Sequence, residues 1–110
     1  MDGTRTQERL SAIAEPTRFR IVELLRAGPR PVGAIVDALG VGQPQVSRHL
    51  RVLADAGVVG VTKNGQRRIY RLLPEPIQDL EEWVAGLTAT WSDRLDRLGT
   101  LLDDKDGAAS

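Results

Sequence analysis

The segment of residues 40–57, GVGQPQVSRHLRVLADAG, constrains the fold of this chain more than any other stretch. Pro44 suits the first turn of a helix, where its missing N–H is not needed, and Gly57 is a typical helix stop. The apolar residues between them recur at spacings of four and three: Val46, Leu50 and Leu53. This spacing predicts an amphipathic helix with one narrow buried stripe, which the rest of the chain has to cover.

The opposite face of this predicted helix carries side chains that pair with nucleic acids. At about 100° per residue, this opposite face carries Gln45, Arg48 and Arg51 beside Val52, with Gln43 and Ser47 on its flanks. Residues 40–54 contain no acidic side chain. Because Arg and Gln hydrogen-bond base edges and Arg also binds phosphate, this face predicts contact with nucleic acid.

A second amphipathic segment, residues 32–39, precedes this helix, and Gly40-Val41-Gly42 makes the turn between them. Helix, short glycine turn and helix form the helix-turn-helix arrangement. Gly42 occupies the position where Ser or Asn would cap the second helix better. It also leaves the backbone open to close approach by a phosphate, and the sequence does not decide between these two interpretations.

Residues 58–63 and 67–73 are strand-like runs on either side of Asn64-Gly65, which is a strong signal for a β-hairpin. The hairpin carries four positive charges and no negative one: Lys63, Arg67, Arg68 and Arg71. Basic residues on a small hairpin can simply protect exposed edges from aggregation. Four of them directly after a helix-turn-helix favour a wing, at about residues 58–73, that touches nucleic acid.

Two helices are predicted before the helix-turn-helix. Residues 4–14 form the first, with Leu10, Ile13 and Ala14 on its buried side. Pro16 opens the second, which ends before Gly28-Pro29 and has a wide apolar face. That face comprises Phe19, Val22 and Leu25, flanked by Ile21 and Leu24. Thr17 and Arg18 lie in its first turn, where they either contact a phosphate or are merely solvated.

A long helix is predicted over residues 76–102, followed by a disordered tail at 104–110. Its apolar residues recur every three or four positions: Ile77, Leu80, Val84, Leu87, Trp91, Leu95, Leu98 and Leu102. Such a stripe is too long to be covered by one small domain, so a second copy of the helix is the expected partner. Packing along the parent domain alone is the alternative.

Composition limits the remaining possibilities. The 110 residues include no Cys and only one His, which excludes disulfides and leaves no thiolate or His cluster for zinc. No apolar run approaches a membrane span, and the N-terminus lacks a signal peptide, so a soluble, cytoplasmic single domain (1–103) is expected. The net charge is zero, but residues 1–74 carry +6 and residues 75–110 carry −6. This asymmetry favours a polyanionic partner for the first part, although an uneven solvated surface is also possible.

In this order and spacing, the elements resemble the ArsR/SmtB family of winged-helix transcriptional repressors. The resemblance is carried by AEPTRFRIVELLRAG, VGAIVDALGVGQPQVSRHLRVLADAGVV and NGQRRIYRL, and it covers most of residues 8–73. It implies a mainly α fold with a small β-hairpin, in the order α-α-α-α-β-β-α. It also implies a homodimer joined through its terminal helices and bound to an inverted-repeat operator in double-stranded DNA, with half-sites about one helical turn apart. Binding of this kind occludes a promoter, often the regulator's own.

The candidate site residues follow from these elements. Those expected to contact DNA are Gln43, Gln45, Ser47 and Arg48 for base edges, His49 on the shoulder of the helix, Arg51 for phosphate, and Lys63, Arg67 and Arg68 for phosphate or the minor groove. For His49, packing against the second helix is an equal alternative. Those expected at the dimer interface are Leu10, Ile13, Leu80, Val84, Leu87, Trp91, Leu95 and Leu98.

Metal-sensing members of the family carry Cys pairs in the helix matching residues 32–39, or His and carboxylates along the terminal helices. Here the first helix reads VGAIVDAL and the last contains no His. Because zinc-class ions prefer imidazole or thiolate ligands, a metal-independent regulator without a cofactor is expected. The sequence does not indicate what signal induces it.

Two other classes of function deserve comparison. A winged-helix interaction module that no longer reads DNA would retain the fold, but the retained cationic, polar groove face argues against it. An enzyme is disfavoured because the chain has no Cys nucleophile and no nucleotide-binding glycine loop, and because His49 stands among arginines without a nearby acid to orient it.

Overall fold

The computed structural model describes the backbone of residues 3–109 and the side chains of residues 4–100. The elements in chain order are α1 (Gly3–Ala14), α2 (Pro16–Leu25), β1 (Arg30–Pro31), α3 (Val32–Leu39), α4 (Gln43–Asp55), β2 (Val59–Asn64), β3 (Arg67–Leu72) and α5 (Pro74–Ala109). The chain divides into two compact units, Met1–Ile77 and Gln78–Ser110. The first unit contains the helix-turn-helix and the hairpin, and the second is the remainder of α5.

The mainly helical fold with a small hairpin is confirmed, and α3 has the predicted bounds. Gly40 ends α3 in the left-handed region at φ +67°, where its N–H donates to the carbonyl of Val36 at 2.9 Å. Gly42 is the N-cap of α4 and supplies no side-chain hydrogen bond. A Cβ at Gly42 would meet only Pro44 Cδ, at 3.8 Å, so serine would fit there.

The sheet has one strand more than the sequence predicted. The order is β1-β3-β2, all antiparallel, and the two-residue β1 pairs with the strand that follows the hairpin loop. Asn64 pairs with Arg67, so the loop is Gly65-Gln66, one residue later than the predicted Asn64-Gly65 turn. Gly65 adopts φ +66°, which a two-residue hairpin loop requires at its first position.

The core forms where α2, α3 and α4 meet the sheet. Its largest fully buried side chains are Ile21, Ile35, Leu50, Leu53, Val46, Val58 and Val59. The predicted stripe of α4 is therefore confirmed. The predicted role of Phe19 is wrong, because its side chain is 50% exposed. Phe19 lies about 200° around the helix from the fully buried Ile21, so the two cannot share one face.

Helix α1 also differs from its prediction. Thr6, Arg9 and Ala12 are its buried residues, whereas Ala14 is exposed. Ile13 is partly buried and packs against the core of its own chain, and Leu10 is partly exposed. The spacing of the apolar residues predicted a different face, because in the folded chain α1 buries Thr6 and Arg9, and the long stem of Arg9 can cover apolar surface.

The predicted stripe of α5 is largely exposed from Val84 to Leu98, whereas Ile77 is partly buried against the core and Leu80 is partly exposed. The exposed large apolar side chains of α5 are Trp83, Val84, Leu87, Trp91, Leu95 and Leu98. Among the described residues, no helix combines the length and apolarity needed to cross a membrane. The backbone of α5 continues to Ala109, past the predicted end near 102. The side chains of residues 101–110 lie outside the described residues, so the disordered tail stays a prediction.

Candidate nucleic-acid interface

Helix α4 presents polar side chains outward because its apolar stripe is completely buried. Val46, Leu50 and Leu53 have no exposed surface. The exposed residues of α4 include all but one of its predicted contacts: Gln43, Gln45, Ser47, Arg48 and Arg51. The exception is His49, whose side chain is 25% exposed.

An open cleft of about 1070 Å³ lies between α3 and α4 on one side and the β2–β3 hairpin on the other. Predicted contacts from both elements line it: Gln43, Ser47, Arg48, Arg51, Arg67 and Arg68. Its charged residues are four arginines and one carboxylate, that of Asp37. A concave surface with this excess of positive charge concentrates the field that attracts a polyanion.

The remaining predicted contacts lie elsewhere. Gln45 is exposed on α4 but does not line the cleft, and the same is true of Lys63 on the hairpin. Lys63 stands directly opposite Arg68 in the β2–β3 ladder. Like charges in that position destabilise a sheet, and an anion bound between or beside them relieves the repulsion. The hairpin is therefore better suited to a charged partner than to solvent alone.

Comparison with known proteins agrees with this geometry. The profile of a helix-turn-helix domain matches residues 13–62. The HTH-type transcriptional repressor SmtB of Mycobacterium tuberculosis is 49% identical over 65 residues, which cover 59% of this chain and 48% of that repressor. The matched part thus spans about half the length of this relative.

Two further relatives match over most of their length. The HTH-type transcriptional regulator Rv2034 of the same species is 37% identical, with 86% of this chain and 85% of that regulator covered. A crystal structure of an ArsR family transcriptional regulator superposes with a TM-score of 0.75 at 25% identity, covering 84% of this chain and 95% of that one. The chain belongs to the ArsR/SmtB family.

In this ArsR/SmtB chain, the cleft lining also includes three polar residues that were not among the predicted contacts. Asp37 of α3, Gln66 of the hairpin loop and Tyr70 of β3 all line it. Gln66 could have been found from the loop itself, since a polar residue beside the turn glycine must lie at the tip. Asp37 and Tyr70 carried no such signal, because their positions depend on how α3 and the sheet pack together.

The first turn of α2 is tied to its neighbours by hydrogen bonds. Arg18 is not merely solvated, since its Nε donates to the carbonyl of Ala12 at 2.7 Å, and its contact with a phosphate stays a prediction. Glu15 is the N-cap of α2, and its Oε2 accepts from the backbone N–H of Arg18 at 2.8 Å.

His49 packs against this turn, which agrees with the prediction that it contacts the second helix. Its Nδ1 lies 3.6 Å from Glu15 Oε2 and 3.3 Å from an Arg18 terminal nitrogen. The expectation that His49 has no nearby acid is therefore wrong. The hydrogen bond from the Arg18 N–H lowers the pKa of the Glu15 carboxyl. Desolvation opposes this effect, whereas the Thr17 N–H and the nearby His49 and Arg18 side chains reinforce it.

Proposed function

We infer that this protein is a sequence-specific, dimeric DNA-binding transcriptional regulator, and that it represses by occupying an inverted-repeat operator. The observation that carries the proposal is the cleft in which the polar face of α4 and the arginines of the hairpin face one concave surface. The proposal also draws support from relatives that are named transcriptional repressors and regulators. Such a protein works on cytoplasmic DNA.

The side chains divide into two roles. Gln43, Gln45, Ser47 and Arg48 stand on the first two turns of α4, which enter the major groove in helix-turn-helix proteins, and are assigned to base edges. Arg51 lies about a turn further along and is assigned to phosphate. The wing cations Lys63, Arg67 and Arg68 are assigned to phosphate or the minor groove, where they set affinity more than specificity.

A second copy of the chain is proposed as the partner of α5. Six of its large apolar side chains are between 43% and 60% exposed, and they lie on the predicted stripe or at its edge. A contiguous apolar face of this kind marks an interaction site. Leu80 of α5 and Leu10 and Ile13 of α1 are assigned to the same interface. Two-fold symmetry would then place two copies of α4 about 34–36 Å apart, one helical turn of DNA.

The regulator is proposed to act without a metal ion. The proposal rests on the chain's own residues: no Cys occurs in the sequence, and the single His lies on α4 against α2. Without thiolate or a second imidazole, the chain offers a poor donor set for zinc-class ions. The signal that ends repression is therefore assigned to another kind of effector, whose chemistry is open.

Replacing Arg48 with Ala should weaken operator binding by about 1–3 kcal/mol and blur the preference at one base position. The reason is that Arg48 is exposed, lines the cleft and carries a guanidinium that can hydrogen-bond guanine. Titrations of operator and single-base variants measure both effects. Arg20→Ala is the matched control, because Arg20 is exposed on α2 and outside the cleft. Equal losses on operator and random DNA would remove Arg48 from the base readout.

Replacing Arg67 or Arg68 with Ala should weaken binding to all DNA sequences alike and lower the salt slope of binding by about 1. Both side chains line the cleft and stand next to the hairpin loop, where they reach phosphate. Binding constants at several salt concentrations test this, again with Arg20→Ala as the control. A change in base preference without a change in slope would contradict the assignment to the wing.

The function itself is tested by selecting DNA fragments with the purified protein from a random pool and sequencing them. Enrichment of a palindromic motif is the expected result. No enrichment over the input would favour the alternative of a winged-helix interaction module that has stopped reading DNA.

A further inference from the structure

Three helices meet at a small polar cluster formed by Glu15, Arg18 and His49. Glu15 caps the start of α2, and Arg18 in the first turn of that helix reaches back to the Ala12 carbonyl of α1. His49 comes from the middle of α4, and its side chain is 25% exposed. The cluster therefore joins the DNA-facing helix to both helices behind it, on the shoulder away from the cleft.

One ring nitrogen of His49 faces two partners of opposite character. Its Nδ1 is 3.3 Å from an Arg18 terminal nitrogen and 3.6 Å from Glu15 Oε2. A guanidinium only donates hydrogen bonds, so the contact with Arg18 requires Nδ1 without a proton. A carboxylate only accepts, so closing the 3.6 Å separation from Glu15 into a hydrogen bond requires Nδ1 with a proton. The two contacts cannot be made at the same time.

We propose that Glu15, Arg18 and His49 form a positioning cluster for α4, in which protonation of His49 exchanges its Arg18 partner for Glu15 and lowers the discrimination between operator and random DNA. In the neutral ring, the proton is on Nε2 and Arg18 donates to Nδ1, which links α4 through Arg18 to the end of α1. In the charged ring, Nδ1–H donates to Glu15, and Arg18 is repelled. His49 then acts as a positioning residue rather than a DNA contact.

The surroundings support this exchange. The charged groups that contact the imidazole are Glu15, the N-cap of α2, and Arg18 in the first turn of that helix. Glu8 of α1 and Asp55 of α4 line the small cleft beside Arg18, so a released guanidinium has carboxylates nearby. Imidazole is the side chain whose ordinary chemistry places a change of charge between about pH 5 and 8, so the experiments below span that range.

The first experiment does not involve DNA. Because His49 is the only histidine of the chain, ¹⁵N–¹H correlation spectra of its ring are free of overlap in the full-length protein. At about pH 8, the expected species is the Nε2–H tautomer. An Nδ1–H tautomer, or an average of the two, would overturn the proposal, since Nδ1 would then not accept from Arg18. This result stands whether or not the protein binds DNA.

The second experiment rests on the proposed function and uses the duplex recovered by selection, with a random duplex of equal length. His49→Asn places an amide where Nδ1 lies, whereas His49→Gln places it near Nε2. At about pH 8, the operator-to-random affinity ratio should stay within about twofold for the Asn variant and fall about threefold to tenfold for the Gln variant, as for one lost hydrogen bond. Equal behaviour of the two variants would overturn the positioning role.

The pH profile separates positioning from simple charge. Between about pH 8 and 6, the wild-type ratio should fall about threefold or more, while the ratio of the Asn variant stays constant. An added positive charge alone would change affinity for operator and random DNA alike, leaving the ratio flat and contradicting the proposal. If neither duplex binds while the Nε2–H tautomer is seen, the DNA-binding function fails and the cluster geometry survives.

Discussion

Trp91→Asp is expected to yield a monomer whose affinity for inverted-repeat DNA is lower by about 100-fold or more, the loss typical when two linked binding sites are separated. Trp91 is 60% exposed in the single chain and lies at the centre of the α5 stripe, between the half-exposed Leu87 and Leu95. A carboxylate in a two-fold seam would be buried near its own copy, without a partner of opposite charge. Sedimentation and DNA titration measure the two effects.

The matched control for this change is Ala89→Asp. Ala89 is exposed on the same helix and lies about 200° around it from Trp91, so the same carboxylate is introduced on the opposite side. The control should remain a dimer and bind DNA as the wild type does. If Trp91→Asp also sediments as an unchanged dimer, the interface lies elsewhere and the assignment of the α5 stripe fails.

Leu53→Ala should destabilise the folded chain by about 2–5 kcal/mol, the usual loss when a buried leucine leaves a cavity. Leu53 has no exposed surface, and its carbonyl accepts from the Val58 N–H at 2.9 Å in the turn that leads into β2. Since total stabilities of small domains are about 5–15 kcal/mol, a large fraction of the stability of the fold would be lost. Urea unfolding followed by circular dichroism gives the free energy.

Val52→Ala provides the comparison within the same helix. Val52 neighbours Leu53 in sequence but is 41% exposed, so its truncation removes little buried surface. The unfolding free energy of the Val52→Ala variant should stay within about 0.5 kcal/mol of the wild-type value. Similar losses of unfolding free energy for the two variants would show that packing of the buried stripe of α4 does not stabilise the fold as proposed.

The contrast between Leu53 and Val52 also shows what local pattern can predict. The spacing of Val46, Leu50 and Leu53 predicted the buried face of α4 correctly, because that face is set by helix geometry within thirteen residues. The same spacing rule gave the wrong face for α2, where five apolar or aromatic side chains crowd ten positions and several faces look equally apolar. Only the neighbours decide there, and they bury Ile21 and Leu25 while leaving Phe19 half exposed.

The candidate site divides in a similar way. The exposed polar face of α4 and the basic hairpin were predictable as separate features, because each is a short-range pattern. Their meeting in one cleft, with Asp37 inside it and Lys63 outside, depends on the packing of α3 and the sheet. The two-residue strand β1 was equally hidden, since Arg30 and Pro31 become a strand only by pairing with Tyr70 and Ile69.

By itself, the sequence determined the helix-turn-helix, the hairpin, the family and the absence of thiolate chemistry, because periodicity, turn residues and composition are local properties of the chain. Only the tertiary structure decided the hairpin register, the lining of the cleft and the residues that contact His49. The reason is distance along the chain: Arg18 and His49 are 31 residues apart, and no local pattern records that their side chains meet at 3.3 Å. The helix that faces the cleft, α4, could be predicted from the sequence, but its side-chain contacts with α1 and α2 could not.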